Sequence, residues 1–310
     1  VDYKQRTVRD NISCTGIGLH SGKKVRLTIK PAPPDSGIKF LRKDLPGRRA
    51  IKVRFENVVD TNMSTTIGNN NGNKVSTIEH LMAAFFGFGI DNALVEVDGP
   101  EVPIMDGSSA PFIFLLKSVG IREQKNPKEF IVIKRTFKIQ EGNRSIIVKP
   151  SKQLKISFTV DFRHPLINTQ RYNLRFSGKS FIDEISRART FGFLKDIQAL
   201  REAGLARGGS LDNAIVIDGF RVLNEDGLRY KDEFVRHKIL DFIGDLAVIG
   251  SPVIGHFYVQ KSGHSLNQSM LKKLTASKRY WKRLTVESLE DGVEASVKIP
   301  VFGSPESVAA

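Results

Sequence analysis

Apolar and polar positions along the chain switch from a two-residue rhythm to a helical one, and the switch occurs twice in the same order. Residues 25–30 alternate apolar with polar side chains, residues 31–37 supply turn formers, and residues 38–41 resume the run, so two strands joined by a turn are expected. Helical spacing follows from 76 to about 86 and is stopped by Gly87 and Gly89. Residues 93–97 predict a strand. Residues 106–111 open a helix reaching about 119, with Pro111 in the first turn, where its missing N–H is harmless. After a polar stretch at 124–129 the strand rhythm returns at 130–134, 137–140, 145–149 and 154–160, which fits a meander. Helical patterns come back over 180–187, 194–205, 231–248 and 266–274, with a strand at 253–259. Strands followed by helices, twice, predict two α+β domains, 1–126 and 127–280. Residues 281–310 read as a tail, loosely held from Glu290 onward.

The helix expected over 231–248 carries the most informative chemistry. At roughly 100° per residue, His237 and Asp241 point the same way, about 40° apart, while Val235, Ile239, Phe242, Ile243 and Leu246 lie on the opposite side. Taken alone, such a pair is also what a solvated helix face looks like. Ser76-Thr-Ile-Glu79-His80 adds an imidazole beside a carboxylate, although Ser76-x-x-Glu79 before an apolar run also reads as a capping box. Two His and one Asp around one ion, with a free Glu alongside, would make a hydrolytic zinc site.

Composition narrows the choices. With 310 residues, 40% hydrophobic and 26% charged, the chain has the make-up of a soluble globular protein with room for two cores. Its one cysteine, Cys14, and the lack of any CxxC leave metal binding to His and carboxylates and favour a reducing compartment. No apolar run approaches the roughly 18–20 residues of a membrane span, since residues 246–259 are broken by Gly250, Pro252 and Gly255. The first residues lack the apolar region of a signal peptide, so a cytoplasmic location is expected. A net charge of +15 suggests an anionic partner. The basic residues are scattered, however, apart from short clusters such as 278–283, and no zinc finger or RNP-like motif is present. From charge alone, a nucleic-acid-binding module with structural zinc is the alternative class.

Seven motifs follow one another: Gly18-Leu-His-Ser-Gly22, Ser76-Thr-Ile-Glu-His-Leu-Met82, Pro103-Ile-Met-Asp-Gly-Ser108, Ser186-Arg-Ala-Arg-Thr-Phe-Gly192, Leu223-Asn-Glu-Asp-Gly-Leu-Arg229, His237-Lys-Ile-Leu-Asp241 and Lys261-Ser-Gly-His264. In that order and at those separations, the series closely resembles the UDP-3-O-acyl-N-acetylglucosamine deacetylases, zinc amidases that commit bacteria to lipid A synthesis. The similarity spans about residues 5–274. It implies an α+β fold of two similar two-layer β/α sandwich domains, each with a small insert, and an active site between them. The second insert, about 193–218, would form a hydrophobic passage for the substrate's acyl chain. Phe193, Ile197, Leu200, Ala206, Gly209, Ser210 and Val216 match its positions, although the residues alone read as ordinary core.

The resemblance also implies roles. His80, His237 and Asp241 would hold zinc, leaving one position for water whose pKa falls toward about 7; a His/His/Asp set also accommodates ferrous iron. Glu79 would be the general base and Thr190 the hydroxyl that helps stabilise the oxyanion. His264 would be the imidazolium that protonates the glucosamine amine, oriented and kept charged by Asp245. Lys238 and Lys261 match positions near the nucleotide diphosphate, Asp161 and Phe162 a uracil-binding pair, and Phe191 and Met63 the glucosamine and acetyl pocket. His20 is expected to serve a structural turn, and His164 and His256 receive no role. The implied partner is the small molecule UDP-3-O-acyl-N-acetylglucosamine, with no nucleic acid. The implied state is a monomer without a transmembrane segment, touching the inner-membrane surface at most transiently. A non-acylated UDP sugar as substrate is the narrower alternative.

Overall fold

The computed structural model describes residues 4–47, 49–162, 164–285 and 297–304. Its frame is a pair of five-stranded sheets with the same topology. The first runs Ile12–Ile17, Lys24–Pro31, Ala93–Val97, Ile38–Arg42, Ile51–Lys52, and the second Phe137–Glu141, Arg144–Lys149, His256–Gln260, Lys155–Asp161, Thr169–Arg175. In each, the third and fourth strands are parallel and every other pairing is antiparallel. The expected meander is therefore corrected. His256–Gln260 enters between two of its strands, and Phe130–Ile133 leaves to pair with Val253–Ile254 and Trp281–Leu284. Alternation reports which face of a strand is apolar, not which strand lies beside it. The single strand expected at 253–259 splits at Gly255 because its two parts belong to different sheets.

Among the described residues there are six helices: α1 (Glu79–Phe88), α2 (Ala110–Val119), α3 (Gly178–Ser180), α4 (Leu194–Glu202), α5 (Glu233–Ala247) and α6 (His264–Thr275). None is long and apolar enough to cross a membrane. The fold is α+β, in two similar halves. α1 and α5 cross at the centre, with α2 packed on α1 and α6 on α5. Every residue of α1 is buried, and α5 buries Phe234, Val235, Ile239, Phe242, Ile243 and Leu246. Each such side chain contributes roughly 1.5–3 kcal/mol on leaving water. Gly244 sets how near the helices come, since a Cβ there would lie 2.1 Å from the Glu79 carbonyl oxygen.

Several local expectations change. The capping box does not form: α1 starts at Glu79, Ser76 Oγ donates to the Pro100 carbonyl, and the Glu79 carboxylate accepts from the Thr65 amide instead. The helix expected at 180–187 is one turn of α3, capped by Ser177, followed by a π-turn at Phe181–Ile185. The helix expected at 266–274 begins earlier, with His264 at the first position of α6.

The expected tail is largely structural where it is described. Trp281–Leu284 pairs with Phe130–Ile133, burying Leu284. Further on, the Val301 carbonyl accepts from the Gly178 amide at 2.6 Å, the Gly303 amide donates to Gly87, and Arg6 Nη1 donates to the Gly303 carbonyl. Phe302 is buried over Gly89, whose left-handed backbone (φ 62) and missing side chain leave the slot that the ring fills. The rest of the expected loose tail, 290–296 and 305–310, lies outside the described residues.

Candidate active site

The crossing of α1 and α5 brings together what the sequence held far apart. His80 Nε2 lies 3.5 Å and His237 Nε2 3.3 Å from the same oxygen, Asp241 Oδ1. The two imidazoles meet edge to face, with ring centres 5.1 Å apart. One donor atom from each of the three residues falls within 4.8 Å of the others, and all three residues are buried. The donor chemistry suits a divalent cation. His237 Nδ1 lies 3.1 Å from the Ala188 carbonyl, which fixes the proton on that nitrogen and turns the Nε2 lone pair toward Asp241. Burial pushes the His237 pKa down to about 3, so the ring is neutral. Burial alone would raise Asp241, but the Lys238 ammonium and the hydrogen bond from His80 outweigh it and hold the carboxyl well below the usual range. A neutral His237 ring and an ionised Asp241 carboxylate are in the protonation states that metal ligation needs.

Beside this trio stands an acid–base pair. Glu79 Oε1 faces His264 Nε2 at 3.8 Å, and Glu79 Oε2 accepts from the Thr65 amide at 3.0 Å. His264 Nδ1 lies 2.8 Å from Asp245 Oδ2, one turn beyond Asp241 on α5. Burial works against charge on His264, yet Asp245, with Glu79 and Asp241, raises its pKa to about 10, so the ring is an imidazolium at neutral pH. Burial raises the Glu79 pKa, opposed by His264 and His80, which makes it a stronger base than a solvated carboxylate.

The outer residues group around this centre. Lys238 does more than flank the site: its Nζ binds Asp241 Oδ2 at 2.8 Å and sits 5.7 Å from the Phe191 ring centre. Phe191 also meets the His237 ring edge to face at 6.2 Å and contacts Phe162, which in turn contacts Phe193. Lys261, with a left-handed backbone, forms an ion pair with Asp161. Thr190 is two residues past the carbonyl that holds His237, and its backbone is pinned to Gly107 and Ile215. Met63 is half exposed, two residues before Thr65.

The segment 191–222 forms a small separate sheet, Phe191–Phe193 parallel to Ile215–Asp218, with Arg221–Val222 on its edge. α4, which carries Ile197 and Leu200, lies over it without burying a single residue. Val216 is buried opposite Gly192. Ala206, Gly209 and Ser210 lie in the following loop, which reaches the first half of the molecule: the Arg207 and Gly208 amides donate to the carbonyls of His20 and Leu19. His20 is in a turn whose amides at 20 and 21 donate to the Glu101 carboxylate. His256 pairs with Ser157 in the second sheet, away from the metal trio.

Sequence reasoning passed over three contributors. Thr65, Asn267 and the Ala188 carbonyl hold Glu79, Asp245 and His237 respectively. None has a periodic or compositional signature, because each acts through one hydrogen bond made across the fold.

Residues 5–276 match the family model described as UDP-3-O-acyl N-acetylglycosamine deacetylase. Among curated relatives, proteins named UDP-3-O-acyl-N-acetylglucosamine deacetylase are similar over nearly their whole length. The one from Myxococcus xanthus is 53% identical over 88% of this chain and 86% of its own. That from Shewanella violacea is 50% identical over 96% and 97%, and that from Methylococcus capsulatus 52% over 92% and 94%. Matched along almost all of its length, and with the buried trio and acid–base pair assembled at its centre, the chain belongs to the UDP-3-O-acyl N-acetylglycosamine deacetylase family.

Proposed function

We propose that this protein is a zinc-dependent amide hydrolase that removes the acetyl group of UDP-3-O-acyl-N-acetylglucosamine, releasing acetate, in lipid A biosynthesis. One observation carries the reading: a His/His/Asp trio lies beside a Glu79–His264 pair whose environments drive the two toward opposite tasks. His80, His237 and Asp241 are the ligands. When bound there, zinc, or ferrous iron in its place, supplies a Lewis acid that polarises the amide carbonyl and acidifies water.

Glu79 takes the proton of the attacking water as the oxygen adds to the acetyl carbon. The Thr190 hydroxyl and the His264 imidazolium donate toward the oxygen on which negative charge develops. His264 then delivers a proton to the glucosamine nitrogen as the C–N bond breaks, leaving a free amine and acetate. Asp245 keeps His264 charged and in register. A nucleic-acid-binding module would not account for six buried ionisable groups converging from α1, α5 and α6.

For the substrate, support comes from the groups around the trio. In this reading Phe162 would stack on uracil with Asp161 beside it, Lys238 and Lys261 would supply cations for the diphosphate, and Phe191 and Met63 would border the glucosamine. Ile197 and Leu200 on α4, with Phe193, Val216 and the loop carrying Ala206, Gly209 and Ser210, offer apolar surface for an acyl chain, because α4 packs so little of itself into the core. A monomer is the proposed state. A nucleotide-sugar substrate and a free thiol at Cys14 fit a cytoplasmic enzyme that meets the inner-membrane surface transiently. The proposed domain division, between residues 126 and 127, lies at the end of the strand Ile121–Pro127.

The test uses Glu79→Ala and His264→Ala. Both should keep the metal and lose about 10²–10⁴-fold in turnover on the acylated substrate. Normal deacetylation by both would refute the assigned chemistry. Comparing acylated with non-acylated UDP-N-acetylglucosamine tests the apolar passage, which contributes only when an acyl chain is present.

A further inference from the structure

We infer that Thr65 is the positioning residue that holds the base and the acid in register, on the deacetylase reading above. Thr65 bonds to both sides of that pair, its backbone to Glu79 and its hydroxyl to Asp245 and His264. The Thr65 amide donates to Glu79 Oε2 at 3.0 Å, and its carbonyl accepts from the Ile78 amide, just before Glu79, at 3.3 Å. Its hydroxyl donates to Asp245 Oδ1 at 2.6 Å and lies 3.2 Å from His264 Nδ1. Thr65 is itself 3% exposed, so no solvent competes for these bonds.

The donor count gives the hydroxyl a definite task. Asp245 Oδ2 already receives Asn267 Nδ2 at 2.7 Å and His264 Nδ1 at 2.8 Å. Oδ1 receives Thr65. With its one proton committed to Oδ1, the hydroxyl has lone pairs to offer the His264 Nδ1–H, which is then shared between Thr65 and Asp245. The imidazole plane is fixed by two acceptors on one side, and Nε2 is aimed at Glu79, which the same residue holds by its amide. A short loop of the first half thus ties α1 to α5 and α6. Ser262, whose hydroxyl donates to Asn267 Oδ1 at 2.6 Å, supports Asp245 from the opposite flank.

Thr65→Val keeps shape and volume while deleting the hydroxyl, and leaves Asp245 Oδ1 buried without that donor. Since only orientation of the reacting groups is lost, kcat should fall about 10- to 100-fold, the usual scale for groups that orient a catalytic side chain, with KM and zinc content close to wild type. Thr65→Ser, which restores the hydroxyl without the methyl, should recover most of kcat. The assay is run on the zinc-loaded full-length chain, with wild type and Glu79→Ala in parallel. An inactive wild type refutes the deacetylase reading itself. An active wild type with Thr65→Val equally active refutes the positioning role alone. Equal losses for Thr65→Val and Thr65→Ser, tracking a fall in melting temperature, would likewise overturn it, because that pattern marks a residue needed for packing and not for its hydroxyl.

Discussion

α1 and α5 occupy equivalent places in the two halves, each leading back into the third strand of a five-stranded sheet, yet they carry chemistry in different ways. α1 supplies Glu79 and His80 from its first two residues and is buried along its whole length. α5 supplies His237, Asp241 and Asp245, a stripe one turn apart, with an apolar face opposite. In α1 the candidate site residues sit at the end of the helix; in α5 they run along one side, opposite the apolar face. The difference shows that the site depends on the crossing as much as on either helix, for neither alone can close a three-ligand set.

Removing the charge from the α5 stripe should have the largest effect. In Asp245→Asn the contribution that outweighs burial at His264 is gone, so the His264 pKa should drop from about 10 to below neutrality, as read by ring-proton NMR of the metal-free protein. The sign for stability follows from the folded value lying above the ordinary 6.5. The interaction stabilises fully below about 6.5 and is lost as pH rises through about 10. Wild type should lose denaturant resistance across that interval, and Asp245→Asn should not. A variant in which His264 still titrates near 10 would dissociate the pair. A smaller effect is expected from Gly244→Ala, which sharpens the comparison from the crossing itself. Its Cβ, 2.1 Å from the Glu79 carbonyl oxygen, must push the helices apart, costing about 1–3 kcal/mol and lowering kcat by moving Glu79. An unchanged melting temperature and kcat would mean that the contact is not tight.

The same contrast explains what could be read from residues alone. The α5 stripe was legible because an amphipathic helix writes its two faces into the sequence at fixed spacing. α1 was legible as a helix but its chemistry was not: a helix buried all round has no polar face to announce a site, and Glu79 was indistinguishable from a cap. The seven motifs brought the two together before geometry could. Strand existence was readable, but strand order was not, because the insertion of His256–Gln260 depends on pairing between residues far apart in the chain. The dock of residues 301–303 was hidden for a similar reason. Its slot is made by Gly89 and Gly178, whose lack of side chains matters only once the halves are assembled, with the Gly87 carbonyl accepting from the Gly303 amide.

Metal content measured with turnover tests the central claim most directly. The purified chain should hold about one zinc, and chelation should abolish deacetylation until metal is returned. His80→Ala from α1 should lower metal occupancy as His237→Ala and Asp241→Ala from α5 do. Full occupancy in His80→Ala, with loss only in the two α5 variants, would contradict a centre closed by the crossing of the two helices.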